Sequence, residues 1–337
     1  MGLQVLLGAG CVLRCAGAEL AFRSGDAGTL FPLAHEYRGR QRVRSHSTGV
    51  RNRARDRADR AHRRRAFRLQ RHGAGCSGNQ AYEQHQHDTY GNIILGATQP
   101  FFDRRLYMAA GLEEFRRLES LGERAFVLHD QPDAGMWELR TRMRPHTSSA
   151  IMSWAGCDRL AKIAAHIGLR DRAQFWRERA DKIKGAVLER SWSEKRQAFV
   201  ESFGGTYLDA SVLLMSEVGM LAPTDPRFIA TVDAMERTLA RGPFMMRYEE
   251  ADDFGAPETA FNVCAFWRVD ALARIGRRDE AREIFEALLA ARAPSGLMSE
   301  DTDFATGEAW GNFPQTYSMV GIINGAVRLS KSWESMV

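Results

Sequence analysis

The sequence predicts an all-α fold of paired helices, arranged either as an open helical solenoid or as a closed toroid of hairpins. The first observation is a pattern that occurs three times, at Gly122, Gly168 and Gly276. In each case an amphipathic stretch reaches a glycine, and a few charged residues precede the next helical run. Glycine readily adopts the left-handed conformation that ends many helices, so each position predicts a helix end. The second observation is a different boundary, where Gly219 closes one helix and Asp225-Pro226 supplies the N-cap and first-turn proline of the next.

Apolar residues recur at helical spacing beside two of these glycines. The shared faces consist of Leu160, Ile163, Ala164 and Ile167 before Gly168, and of Ala281, Ile284, Phe285 and Leu288 after Gly276. One apolar face is what a helix needs to pack against a partner in a hairpin. A helix is also expected over residues 79–97, where a polar run precedes Ile93-Ile94-Leu95.

Residues 1–77 form a different region, predicted to be irregular or disordered. Residues 1–36 are rich in Gly, Ala and Leu and follow neither a helical nor a strand period. From Arg38 to Arg71 there are fourteen arginines, no lysine and two aspartates, a net charge of +12. Self-repelling charge with little to bury predicts a disordered or loosely helical segment, which could be a basic arm or a solvated linker. Arginine without lysine, amid Ala, Gly and His, is also typical of a GC-rich coding sequence read out of frame.

Charge, apolar run length and cysteine content indicate which partners and which cellular compartment to expect. The whole chain carries +5, so the part outside the arginine segment carries −7, and nucleic acid is not an expected partner. No apolar run approaches the roughly 18 residues that span a bilayer, so no membrane contact is expected. Five cysteines without metal-ligand spacing predict a reduced, cytoplasmic protein with no bound metal, while the oligomeric state stays open.

Residues 78–337 have the composition of a folded helical domain, and their aromatic and acidic residues cluster between the predicted helices. A repeat scaffold would scatter such residues or place them at the repeat period, whereas loops at one end of a toroid would gather them around one pocket. Aromatic walls with carboxylates at the floor suit a sugar. The clusters are Trp137-Glu138, Arg247 to Glu250, Asp252 to Phe254, Glu300-Asp301, and Trp310 to Pro314.

Two carboxylates in these clusters stand out. Glu138 follows an indole in the segment Asp133 to Arg140, and Glu300 lies far downstream in the segment Leu297 to Asp301. Two carboxyl groups in unlike surroundings suit hydrolysis of a glycosidic bond, because one stays protonated to donate to the leaving oxygen and the other activates water. Spacing alone does not pair residues so far apart in the chain.

The motifs of this region resemble those of glycoside hydrolase family 15, the glucoamylase-like enzymes, which include glucoamylases, glucodextranases and some bacterial trehalases. Asp133 to Arg140 resembles the general-acid motif of that family. The resemblance extends from about Asn79 to Trp333, roughly three quarters of the chain. Further similar motifs are His146 to Ser149 with Trp154, Asp158 and Arg159; Tyr207 to Ser211; Arg247 to Glu250 with Phe254-Gly255; Phe266 to Leu272; Gly296 to Asp303; and Gly311 to Gln315.

The resemblance implies an (α/α)6 toroid of six inner and six outer helices that hydrolyses an α-glucosidic bond in an oligo- or disaccharide with inversion. Inversion places the two carboxyl groups roughly 6.5 to 9.5 Å apart, with water between the base and the sugar. This chemistry needs neither a metal nor an organic cofactor. The roles carried over by motif are general acid for Glu138, general base for Glu300, aromatic wall for Trp137, and sugar binding for Arg247, Tyr248 and Glu249.

The sequence also departs from the family pattern. The family carries an aromatic-rich inner-helix motif ending in Arg-Asp that grips the terminal glucose, and bacterial members usually add an N-terminal β-sandwich; this sequence shows neither. Residues 78–337 are therefore expected to be an N-terminally truncated, partial (α/α)6 catalytic domain. Weak or absent activity is expected, because the motif that grips the terminal glucose supplies binding energy used at the transition state. The alternative interpretation is a non-catalytic helical-repeat interaction protein, which the hairpins alone would support.

Overall fold

A computed structural model describes residues 84–103, 105 and 110–330, together with two short antiparallel strands, β1 (Ala61–His62) and β2 (Cys76–Ser77). The remainder of the predicted irregular segment lies outside the described residues. The helices are α1 (Asp88–Gly96), α2 (Gln99–Phe102), α3 (Leu112–Leu128), α4 (Thr147–His166), α5 (Arg170–Arg190), a 3-10 helix (Ala210–Leu213), α6 (Leu214–Glu217), α7 (Pro226–Leu239), α8 (Asn262–Arg274), α9 (Arg278–Ala290) and α10 (Thr316–Leu329).

Short strands lie in the connections between helices. Strands β3 and β4 pair with each other, as do β5 and β6, and β7, β8 and β9 form a three-stranded antiparallel sheet. Their bounds are β3 (Trp192–Ser193), β4 (Ala198–Phe199), β5 (Ala240–Arg241), β6 (Phe244–Met245), β7 (Ala260–Phe261), β8 (Asp301–Thr302) and β9 (Ala309–Trp310).

The helices form two layers that alternate along the chain. Helix α4 buries 16 of its 20 residues, as an inner helix must, whereas α5 buries 4 of its 21 along one apolar stripe. Inner helices α1, α4, α6, α8 and α10 alternate with outer helices α3, α5, α7 and α9, and α1 packs on α4 as α8 packs on α10. This is the construction of an (α/α)6 toroid, so the predicted fold class is confirmed. The described residues contribute four hairpins and the inner helix α10.

Three of the predicted helix boundaries are confirmed. Gly168, Gly219 and Gly276 have φ values of +82°, +88° and +94°, the left-handed conformation of a glycine that follows a helix. The Asp225 side chain accepts a hydrogen bond from the backbone N–H of Arg227 at 2.9 Å and caps α7, which begins with proline. The two predicted apolar faces are buried, except that Ile167 at the end of α4 is half-buried.

The prediction of a helix end at Gly122 is wrong. Helix α3 runs through this residue to Leu128, and Gly122 is buried where α3 meets α4 and α5. A Cβ atom here would lie 2.2 Å from Leu160 Cδ1 and 2.6 Å from Trp176 Cη2. The glycine therefore serves the close approach of three helices, which the local sequence does not distinguish from a helix end.

Gly122→Ala is expected to lower the free energy of unfolding by about 1–3 kcal/mol, because the new methyl group overpacks a well-filled core. Chemical denaturation measures the change. The matched control is Gly185→Ala in the exposed face of α5, where a Cβ meets nothing within 4 Å. That change is expected to stabilise the helix by up to about 1 kcal/mol. Equal effects of both substitutions would contradict the packing role of Gly122.

The predicted helix over residues 79–97 is shorter than expected. Helix α1 begins at Asp88, and the described residues before it, 84–87, are not helical. They hydrogen bond instead to residues 133–138 of the connection between α3 and α4. Tertiary contacts therefore compete with helix propensity here. None of the described helices is long and apolar enough to cross a membrane, and the described side chains include no group of three potential metal ligands.

Candidate active site

Glu138 lies in a loop, residues 133–144, whose two ends are paired. Backbone hydrogen bonds of 2.9 and 3.1 Å join Asp133 and Arg144 in an antiparallel bridge. Inside the loop Gly135 has φ +65° and Glu138 has φ +59°. The left-handed conformation is ordinary for glycine but uncommon for glutamate, and such exceptions concentrate at functional sites. The Glu138 side chain is half-buried. Contacts with surrounding residues hold its backbone in this uncommon conformation.

Trp137 is fixed by one hydrogen bond and three aromatic neighbours. Its indole N–H donates to Asp209 Oδ2 at 2.8 Å. Its ring centroid lies 5.8 Å from that of Tyr248, 5.6 Å from that of Phe261 and 6.1 Å from that of Trp267. The contacts with Tyr248 and Phe261 are edge-to-face and the contact with Trp267 is tilted, and together they favour one ring orientation. Because Glu138 follows directly, the indole also orients the chain from which the carboxylate extends.

Arg247 and Tyr248 belong to the same cluster. The Arg247 guanidinium carbon lies 5.4 Å from the ring centre of Phe261 and 5.6 Å from that of Tyr248. The Tyr248 hydroxyl donates to Asp252 Oδ2 at 2.5 Å, and burial together with this bond raises the pKa of the phenol. Three of the predicted binding residues, Trp137, Arg247 and Tyr248, are therefore brought together.

Glu249 has partners within the chain. Its Oε2 accepts hydrogen bonds from Arg196 Nη2 at 2.9 Å and from the backbone N–H of Leu208 at 3.2 Å. These contacts hold the segment before the 3-10 helix. A contact between Glu249 and a sugar stays a prediction.

Glu300 is held by amide donors. Its Oε2 accepts from the Asn312 side chain at 2.8 Å and the Asn312 backbone N–H at 3.1 Å, and its Oε1 accepts from Gln315 Nε2 at 3.1 Å. Gly311 has φ +75°, and a Cβ there would lie 2.8 Å from Glu300 Cβ. Both oxygens of Glu300 therefore act as acceptors, and a glycine leaves room for the carboxylate.

The segments bearing Glu138 and Glu300 are joined through two consecutive residues, Phe261 and Asn262. The Phe261 ring contacts Trp137, and Phe261 pairs with Asp301 between strands β7 and β8. The backbone N–H of Asn262 donates to the carbonyl of Glu300 at 2.9 Å. Loops far apart in sequence thus meet at the N-terminal end of α8.

The roles of several residues around this cluster were not predicted. Asp209 anchors Trp137 and is nearly fully buried, and burial raises its pKa to about 6 despite hydrogen bonds from Ser211 and Trp137. Its presence in the Tyr207 to Ser211 motif was the available signal. Asn312 and Gln315 likewise lay in a recognised motif without an assigned role.

A charged network behind the cluster was also missed. Arg144 donates to both oxygens of Glu250 at 2.9 Å each and to Glu201 at 3.1 Å, and Arg142 lies 3.0 Å from Glu250. These four side chains border a small cavity together with His146, Trp137 and Tyr248. Burial, with the charges of Arg144 and Arg142, lowers the pKa of His146 to about 4, which leaves the imidazole neutral near pH 7.

Asp133 makes stability depend on pH. Its Oδ2 accepts from the His87 backbone N–H and from Ser149 Oγ, both at 2.8 Å, yet complete burial and the nearby Asp88 charge raise its pKa from 3.8 to about 7. The folded state therefore binds this proton more tightly than the unfolded chain does. The contribution of Asp133 to the free energy of unfolding is therefore expected to fall as the pH rises from about 4 through about 7.

Thermal unfolding between pH 4.5 and 8 measures this dependence. Asp209, with its raised pKa, contributes with the same sign, whereas His146, with its lowered pKa, contributes with the opposite sign below about pH 6.5. Asp133→Asn is expected to flatten the decline, because the amide keeps an acceptor oxygen and does not ionise. An unchanged decline in the variant would contradict ionisation of Asp133 as its cause.

Comparisons with known proteins identify the family and the fold of this chain. Residues 69–327 match the family model described as glycosyl hydrolases family 15. The chain is 35% identical over 265 residues to a trehalase of Mycobacterium tuberculosis, a match covering 76% of this chain and 38% of the relative. It is 31% identical over 256 residues to a trehalase of Thermoplasma volcanium, covering 76% and 41%. The chain thus spans about two fifths of the length of these relatives.

Solved structures show the same fold at low sequence identity. A protein described as a wild-type glycosidase matches with a TM-score of 0.67 and 15% identity, covering 97% of this chain and 86% of its own. A bacterial glucoamylase complexed with acarbose matches with a TM-score of 0.57 and 14% identity, covering 72% and 41%. With its toroidal helices and a family match over most of its length, the chain belongs to the glycosyl hydrolases of family 15.

Proposed function

We propose that this chain hydrolyses the α-glucosidic bond of an oligo- or disaccharide with inversion, using Glu138 as general acid and Glu300 as general base. The observation that carries the proposal is the connection of the two carboxylate-bearing segments through Trp137, Phe261 and Asn262. The surroundings of the two carboxylates differ, as acid–base catalysis by a carboxylate pair requires. Glu138 follows the Trp137 indole in a loop, whereas Glu300 accepts hydrogen bonds from Asn312 and Gln315. The activity of this chain by itself is part of the proposal, since it spans a minority of its trehalase relatives.

In this mechanism Glu138 gives its proton to the glycosidic oxygen as the bond to the anomeric carbon breaks. Glu300 removes a proton from the water that attacks the opposite face of the same carbon. Asn312 and Gln315 bond to both Glu300 oxygens and fix the direction in which the carboxylate faces. Geometry held before the substrate arrives reduces the reorganisation required at the transition state.

The aromatic cluster supplies sugar binding. The half-buried Trp137 offers ring surface to the C–H face of a pyranose, the buried Tyr248 ring packs edge-on beside it, and Arg247 is the hydrogen-bond donor of the group. Arg247 Nε is buried and has no hydrogen-bond partner among the residues that the structure describes. A buried donor without a partner is costly, and a sugar hydroxyl would satisfy it after a small side-chain movement. Glu249 is a further binding candidate.

The substrate to test first is trehalose, because the similar curated proteins are trehalases. Maltose and isomaltose represent the other α-linked glucosides, and cellobiose is the β-linked control. Purified chain is expected to release glucose from at least one α-linked disaccharide, at the low rate that the sequence predicts, and none from cellobiose. Folded protein that releases no glucose from any α-glucoside would contradict the proposal and favour the non-catalytic interaction protein.

A further inference from the structure

The side chains of Gln84 and Gln86 bond to the loop that carries Glu138. Gln84 Nε2 donates to the carbonyl oxygen of Glu138 at 2.9 Å. Gln86 Nε2 donates to the carbonyl oxygen of Gly135 at 3.1 Å. The two acceptors belong to the residues at either end of the turn in which Glu138 N–H donates to Gly135 O at 3.3 Å. Two amide side chains thus bond to both ends of one tight turn.

The backbone between these glutamines bonds to the same loop. The carbonyl of His85 accepts from Ala134 N–H at 2.8 Å, and the N–H of His87 donates to Asp133 Oδ2 at 2.8 Å. Four consecutive residues therefore contact the loop. We call residues 84–87 the clamp segment, and they lead directly into the inner helix α1.

The backbone conformation of Glu138 explains why contacts from the clamp segment are needed to hold it. At φ +59° the residue occupies a region that side chains with a Cβ rarely adopt, so the loop alone would often choose another conformation. Trp137 is held on the N-terminal side by Asp209 and its aromatic neighbours. On the C-terminal side, Gln84 bonds to the carbonyl of Glu138 itself. Releasing that carbonyl would let the carboxylate change direction.

We propose that Gln84 is a positioning residue for Glu138, and that its amide keeps the general acid aimed at the leaving oxygen. The inference rests on the proposed function, in which Glu138 is that acid. Gln84 acts on the backbone of Glu138 and needs no contact with substrate. Gln86 supports the other end of the turn.

The chemistry of the leaving group separates this role from a general structural one. A departing sugar hydroxyl needs a proton from the acid, whereas fluoride leaves an α-glucosyl fluoride with little assistance. A misdirected Glu138 therefore slows hydrolysis of a disaccharide and spares that of the fluoride. Loss of folding or of sugar binding would slow both.

The test compares Gln84→Ala with the unaltered chain on an α-linked disaccharide and on α-glucosyl fluoride. A misplacement near 1 Å can cost on the order of 100-fold, so kcat on the disaccharide is expected to fall about 10- to 100-fold. The KM is expected to change less than about 2-fold, and hydrolysis of the fluoride to stay within about 3-fold, because binding and base are retained. Gln174→Ala, on the exposed face of α5, is the matched control and should change neither rate.

Two results would overturn the positioning role. One is an unchanged kcat on the disaccharide, and the other is an equal loss on both substrates; circular dichroism would then distinguish unfolding from weaker binding. If the unaltered chain leaves α-glucosyl fluoride intact, the proposed function itself fails and this inference fails with it. If the fluoride is hydrolysed and Gln84→Ala behaves like the control, the proposed function is retained and the positioning role of Gln84 is rejected.

Discussion

Glu138→Gln is expected to lower kcat on an α-linked disaccharide by about 100- to 10,000-fold, the range that a general acid contributes. Glutamine has nearly the same shape as glutamate and keeps a hydrogen-bonding end, but its amide N–H is too weakly acidic to transfer a proton to a leaving oxygen. The contacts that hold this residue in place use its backbone N–H and C=O. The loop is therefore expected to keep its conformation in the variant.

Hydrolysis of α-glucosyl fluoride provides the comparison. Because fluoride needs little protonation, Glu138→Gln is expected to retain this activity within about 10-fold, since the base and the binding groups are unchanged. Steady-state rates on both substrates measure the contrast. Glu189→Gln, at the exposed end of α5, is the matched control. Full disaccharide activity in Glu138→Gln would contradict the assignment of the acid.

Glu300→Gln is expected to slow hydrolysis of both substrates, by about 100- to 10,000-fold on each. Attack by water is needed whichever group leaves, so a good leaving group does not compensate for a missing base. The two glutamate variants thus give different patterns, one selective and one general. Loss of disaccharide hydrolysis alone in Glu300→Gln would contradict its role as the base.

The environment of Glu300 calls for a stability control. A glutamine there would present an amide N–H₂ to donors from Asn312 or Gln315 at one of its two positions. Thermal unfolding should therefore accompany the rates, with Glu308→Gln as the control, since Glu308 is exposed in the same β8–β9 hairpin. A folded Glu300→Gln protein without activity would locate the effect in the chemistry.

Local chemistry made much of the fold predictable. Gly168 and Gly276 end helices through a conformation that depends on a few neighbouring atoms, and Asp225 caps α7 through a bond two residues away. Gly122 shows the limit of such reasoning. Its role depends on Leu160 and Trp176, which arrive from other helices, and no local pattern encodes their approach.

The sequence nominated residues for the candidate site, but it did not predict how the structure connects them. Motifs identified Glu138 and Glu300, and aromatic clusters identified Trp137. The bond from Trp137 to Asp209 joins residues 72 positions apart. The bond from Gln84 to the carbonyl of Glu138 joins residues 54 apart, where the sequence favoured a helix. Contacts of this kind follow from the closed packing of hairpins and have no period in the sequence.

The measurement that tests the central claim most directly is proton NMR of the first glucose released from α-glucosyl fluoride by the unaltered chain, recorded before mutarotation. Water activated by Glu300 attacks the face opposite the departing group, so β-glucose is expected to appear first. Early accumulation of α-glucose would contradict an inverting mechanism with these two carboxylates, and no glucose at all would contradict the hydrolytic function.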